Sequence, residues 1–324
     1  MKPKEWFVLV LAAVCNGPVA HAADPTKDYP NRPIRLIVPN APGSSADTLT
    51  RIVANKLGEA LGQQLVADNR AGAGGAVGLE IAKHATPDGY TLITSGSALT
   101  IGPNLRKNLP YDPLKDFEYV AMYARTPVVL VVNPALPVKT VKDLIDYAKS
   151  KQGKINMASA GIGSQSHLNG TTLMIAAGFD SLHVPYKGGG PSIAAVVAGE
   201  SQWTVPPAAS AMSLVKAGRV RALGHSLPQR SPLLGDLPAI AETVPGFKSV
   251  VLSGLLAPKG TPRAIIEKVN AAVIKIVNTR EIRDQFAFQG AETATSTPGE
   301  YRKAVQEEIS ELGKAVKSAG LKAE

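Results

Sequence analysis

Apolar residues fall in two rhythms along this chain. Short apolar runs of four to six residues alternate with longer stretches in which apolar positions recur every three or four residues, the spacings of strand and amphipathic helix. Ile34 to Val38 is the first short run, and Leu49, Ile52, Val53, Leu57 and Leu61 then share one helical face. The alternation recurs, predicting strands at 64–67, 90–94, 128–132, 154–158, 183–184 and 220–223 and helices at 141–149 and 262–277 between Gly- and Pro-rich turns. Strands that alternate with helices predict an α/β fold. Two apolar runs, Pro127 to Val132 and Val250 to Leu255, bracket a central region and read as crossings between two lobes. The division expected is 23–124 with 250–324 as lobe one and 125–249 as lobe two.

The first residues do not belong to this pattern. Lys2 and Lys4 precede the apolar run Trp6 to Val14, and Ala20-His21-Ala22 supplies small residues two apart. That order predicts a secretory signal peptide over 1–22, cleaved after Ala22, and a periplasmic mature protein. Cys15, after Leu11-Ala12-Ala13-Val14, leaves lipidation open as the alternative. The apolar run falls short of the ~20 residues that span a bilayer. Cys15 is the single cysteine, so a chain cleaved at Ala22 has no thiol, and its stability must come from packing.

The chain carries 35 Lys and Arg against 26 Asp and Glu, a formal charge of +9. A cationic field favours anionic partners. The basic residues are scattered and lack the clustered, aromatic-interleaved stripe of a nucleic-acid surface, so no nucleic acid is expected.

Two strand-to-helix junctions carry the candidate chemistry. Asn40-Ala41-Pro42-Gly43-Ser44-Ser45-Ala46-Asp47 leads from the first strand into the first helix, and Ser159-Ala160-Gly161-Ile162-Gly163-Ser164-Gln165-Ser166-His167 does the same in the central region. A helix N-terminus presents unpaired backbone N–H groups and about half a positive charge, so each junction favours a carboxylate. The expected ligand-binding residues are Asn40, Ala41, Pro42, Gly43, Ser44, Asp47, Ser97, Ser159, Ala160, Gly161, Gly163, Ser164 and His167. Asp47 also fits a capping-box variant with Ser44, and His167 fits local backbone interactions equally well. A third loop, His183 to Pro191, is a further candidate, with Lys187 read as a solvated surface charge.

Enzymatic readings fit poorly. Gly72-Ala73-Gly74-Gly75-Ala76-Val77-Gly78 suggests a dinucleotide loop, yet G-x-G-x-x-G from Gly72 requires glycine where Val77 stands. Neither a G-x-S-x-G elbow nor an H-E-x-x-H motif occurs, and His84, His167, His183 and His225 lack metal-ligand spacing. No catalytic residue, metal or cofactor is expected.

Several segments resemble one family: Tyr29 to Pro39, Asn69 to Gly75, Pro87 to Leu92, Leu109 to Pro113, His183 to Gly188, Arg219 to Leu223, Ala257 to Pro262 and Ala319 to Lys322. They are similar to the Bug-type substrate-binding proteins of tripartite tricarboxylate transporters, in order from about residue 29 to the C-terminus. The resemblance implies a two-lobed, type II periplasmic-binding-protein fold of the Venus-flytrap kind. It also implies a small organic acid or acidic amino acid held between the lobes by Pro42 to Ser44, Asp47 and Ser159 to Ser164, and delivery to membrane permease subunits. Some relatives of this kind act as sensors instead. The receptor is expected to act as a monomer. Ser44 and Ser45 where glycine is usual, and Asn40 where an aromatic residue is common, set this chain apart in specificity.

Overall fold

The computed structural model describes residues 27–318 and 320; the expected signal peptide and Cys15 lie outside the described residues. The chain opens with three strands, each followed by a helix: β1 (Ile34–Val38) and α1 (Ser45–Leu61), β2 (Leu65–Asn69) and α2 (Ala76–Lys83), β3 (Thr91–Thr94) and α3 (Ser97–Leu105). β1 pairs parallel with both β2 and β3, so the carboxyl ends of all three strands lie on one edge of the sheet. The long strand β4 (Phe117–Pro127) completes this stretch.

Past Pro127 the chain enters a second sheet. β5 (Val129–Val132) is followed by α4 (Val141–Ser150), β6 (Asn156–Ser159), α5 (Gln165–Ala177), β7 (Leu182–Pro185) and α6 (Gly189–Ala198). Then come β8 (Trp203–Thr204), α7 (Met212–Lys216) and β9 (Arg221–His225). This sheet has the order β7-β6-β8-β5-β9, with β6 parallel to β7 and β8. The chain returns to the first sheet through β10 (Val250–Pro258), followed by α8 (Arg263–Val277), α9 (Arg280–Phe288), β11 (Glu292–Thr293) and α10 (Pro298–Ser318). The first sheet thus has six strands in the order β11-β4-β10-β3-β1-β2.

The inner strands of each sheet, such as β1, β5 and β10, are buried on both faces, which explains their near-continuous apolar runs. On one face of the first sheet Leu49, Val53 and Leu57 of α1 pack with Val269 and Val273 of α8 and Phe286 of α9; the other face holds Leu79 of α2, Leu99 of α3 and Tyr301 of α10. The second sheet packs Leu144 of α4 and Leu173 of α5 on one side and Ile193 and Val196 of α6 on the other. The pattern located α4 to within a residue because Thr140 and Asp143 form a reciprocal capping box at its start. β4 escaped the sequence reading. Its side chains from Tyr119 to Ala124 are buried whichever way they point, so it shows no period of two. No helix among the described residues is long and apolar enough to cross a membrane.

Candidate functional site

In both sheets a parallel strand feeds the helix that follows it, so the helices begin at the carboxyl edge of the strands, where α/β sheets bind ligands. The two carboxyl edges face one cavity of about 680 Å³. Five helices start on its wall: Ser44 caps α1, Gly75 caps α2, Gly96 caps α3, Ser164 caps α5 and Gly188 caps α6, and all five line the cavity. The sequence pointed to two of these ends, those of α1 and α5, with the 183–191 loop before α6 as a further candidate. Topology brings all five together.

The two serine caps work on their own helices. Ser44 Oγ accepts from the Asp47 N–H (3.2 Å), and Ser164 Oγ accepts from the His167 N–H (3.3 Å). The first N–H groups of each helix, those of Ser45 and Ala46 or of Gln165 and Ser166, have no intrahelical acceptor. Each end adds roughly half a positive charge. Among the described residues, none that lines the cavity is Asp or Glu; the charged ones are Arg106 and Lys187, both cationic. Lining side chains also leave Asn40 Oδ1, Ser45 Oγ and Gln165 Oε1 buried without a hydrogen-bond partner. Such orphaned groups are uncommon away from functional sites.

Of the residues named from sequence, Asn40, Ala41, Ser44, Ser97, Ala160, Gly161 and Ser164 lie on the cavity wall, and Pro42, Gly43, Asp47, Ser159, Gly163 and His167 do not. Asp47 is buried under its own loop. Its carboxylate accepts from Gly43 N (3.0 Å), Arg51 Nε (2.9 Å) and Asn69 Nδ2 (2.9 Å), while Asn69 Nδ2 also donates to the Asn40 carbonyl (2.9 Å). Burial acts to raise the Asp47 pKa, but hydrogen bonds from Arg51, Asn69 and Gly43, with the Arg51 charge, bring it below the ordinary value. Its carboxylate thus ties the 40–44 loop to Arg51 and Asn69.

The second loop is braced the same way from behind. Ser159 Oγ sits 2.6 Å from His183 Nε2 and accepts from Gly161 N (3.2 Å); His167 Nδ1 accepts from Gly163 N (3.3 Å). The His167 and His183 rings stack at 4.2 Å with 15° between their planes. Burial first, and the His167 charge second, push the His183 pKa down to about 4. Pro42 and Gly43 instead face Gly190 of α6, where the two lobes touch.

The sequence reading passed over Arg106, at the end of α3, because a lone cation after an apolar helix carries no motif. It set Gly72 to Gly75 aside along with the failed dinucleotide motif, yet these glycines form part of the wall.

Residues 49–321 match the family model described as the tripartite tricarboxylate transporter family receptor. The protein BugT of Bordetella pertussis is 34% identical over 297 residues, covering 91% of each chain. Among solved structures, one from R. palustris with adipate superposes with a TM-score of 0.89 at 31% identity, covering 92% of this chain and 100% of its own. MatC from Rhodopseudomonas palustris with bound malate gives 0.81 at 32% identity, covering 89% and 100%. The fold is therefore the two-lobed α/β fold of periplasmic binding proteins, as the resemblance implied. With a family model covering most of its length and a relative 34% identical over 91% of it, this chain belongs to the tripartite tricarboxylate transporter receptor family, of the Bug type.

Proposed function

We propose that this protein is an exported solute receptor that closes on a small carboxylate and passes it to a tripartite tricarboxylate-type membrane permease. Residues up to 124 and from 250 onward form one lobe in this reading, and residues 125–249 form the other. The observation that carries it is the convergence of five helix N-termini on one cavity, whose lining among the described residues holds two cations and no carboxylate. Backbone N–H groups there recognise negative oxygen without a dedicated ion pair. Each charge-assisted hydrogen bond contributes about 1.5–3 kcal/mol, so a few suffice for micromolar binding near −8 kcal/mol after ordering costs.

The adipate and malate of the two solved relatives support an organic acid as cargo. Asn40, Ala41, Ser44, Ser97, Ala160, Gly161 and Ser164 contact it, while Pro42, Gly43, Asp47, Ser159, Gly163 and His167 hold the two loops in place. The protein works by binding and release in the periplasm, as a monomer, and not by catalysis. A thermal-shift screen of small acids against the purified mature protein tests this, because a ligand that binds the folded state raises its melting temperature by mass action. A set of di- and tricarboxylates that leaves the melting temperature unchanged at millimolar concentration contradicts it.

A further inference from the structure

The cavity wall contains a half-buried guanidinium, that of Arg106, for which the described residues supply no counter-ion. Arg106 ends α3, and among the described residues its side chain has no hydrogen-bond or ion-pair partner. Three other arginines of the first lobe are engaged: Arg51 with Asp47 (2.9 Å), Arg35 with Asp68 (2.7 Å) and Arg70 with Asp68 (2.9 Å). Arg106 stands where the two lobes meet. Its Nη2 lies 3.7 Å from the point a Cβ would occupy on Gly74, and the Ile162 carbonyl oxygen of the second lobe lies 3.3 Å from that same point. Gly74 leaves room for the guanidinium beside the cavity.

A planar guanidinium is weakly hydrated and presents paired donors that match a carboxylate edge-on. The helix N-termini already supply amide donors for one carboxylate. We infer that Arg106 is a specificity-determining residue that reads a second anionic group on the ligand, so that the protein selects diacids over monoacids of the same length. This rests on the reading of the cavity as a carboxylate site. Lys187, the other cation of the lining, is exposed, and its charge is screened by water and salt.

The test is a calorimetric comparison of matched ligands: a series of straight-chain diacids of four to six carbons, each with its monoamide, which keeps the length and one carboxylate. We expect the wild type to bind the best diacid at least ten times more tightly than its monoamide. Arg106→Gln should bring the two affinities to within about threefold, chiefly by weakening the diacid, and Arg106→Lys should restore part of the ratio. Because the readout is a ratio on one protein, a general loss of folding or closure weakens both ligands alike and cancels. A wild type that binds diacid and monoamide equally, or an Arg106→Gln protein that keeps the tenfold ratio, overturns the inference while leaving the carboxylate site intact. Failure of every acid to bind overturns both.

Discussion

Gly190 of α6 packs so closely on the Pro42 carbonyl that a Cβ on Gly190 would overlap that oxygen and stand 3.7 Å from the Cα of Gly43. Beside it, a Cβ on Gly188 would come within 2.5 Å of Ala41 Cβ. The loop that opens α1 and the turn that opens α6 therefore meet backbone to backbone, and this contact closes one side of the cavity. Gly190→Ala separates closure from folding. Alanine is the better helix former by up to about 1 kcal/mol, so α6 itself is not weakened. We expect the melting temperature without ligand to hold or rise, and the affinity for the preferred acid to fall at least tenfold, about 1.4 kcal/mol. Calorimetry and thermal unfolding on one sample read both; unchanged affinity means that this contact is not part of the bound state.

Asp47 is expected to matter through the loop it ties. Asp47→Ala removes acceptors for Gly43 N, Arg51 and Asn69 together, leaving Gly43 and Asn69 donors partly unsatisfied. The expected cost is about 1–3 kcal/mol of stability, seen as a lower urea midpoint. Weaker binding should accompany it. A variant that loses affinity with its urea midpoint intact assigns Asp47 to the ligand instead.

The stacked histidines predict an acid limit. The folded-state pKa of His183, about 4, lies below the ordinary value near 6.5, so the neutral ring is the one the fold accepts. Its contribution is fully present above pH 6.5 and is lost as pH falls toward 4, because the unfolded chain takes up the proton first. The ring is only partly buried, so the expected drop in melting temperature from this pair between pH 6.5 and 5 is on the order of 2–4 °C. His183→Gln should flatten that part of the profile relative to wild type. Parallel profiles for the two proteins remove His183 as the cause.

Much of this arrangement was legible in the residues. Apolar runs such as Ile34 to Val38, and the helical spacing of Leu49, Val53 and Leu57, marked the elements, and the Gly-Ser turns before α1 and α5 marked two of the anion-seeking ends. The other three were less visible for a physical reason: Gly75, Gly96 and Gly188 cap their helices with backbone alone and have no side-chain cap to announce them. Parallel pairing then puts all five ends on two facing edges, and pairing is a long-range property that local pattern does not contain. The same distinction separates the cavity wall from its supports. Ser159 and Ser164 look alike in sequence, yet the Ser159 hydroxyl turns back to His183 while Ser164 stands on the wall.

Recognition of charge by backbone amides is tested most directly by titrating the purified protein, in a calorimeter at low ionic strength, with its preferred diacid and with the corresponding diamide. The two ligands share shape and length and differ in the negative oxygens. Saturable micromolar binding of the acid, with no measurable heat from the diamide, is the expected result. A diamide that binds as tightly as the acid contradicts it.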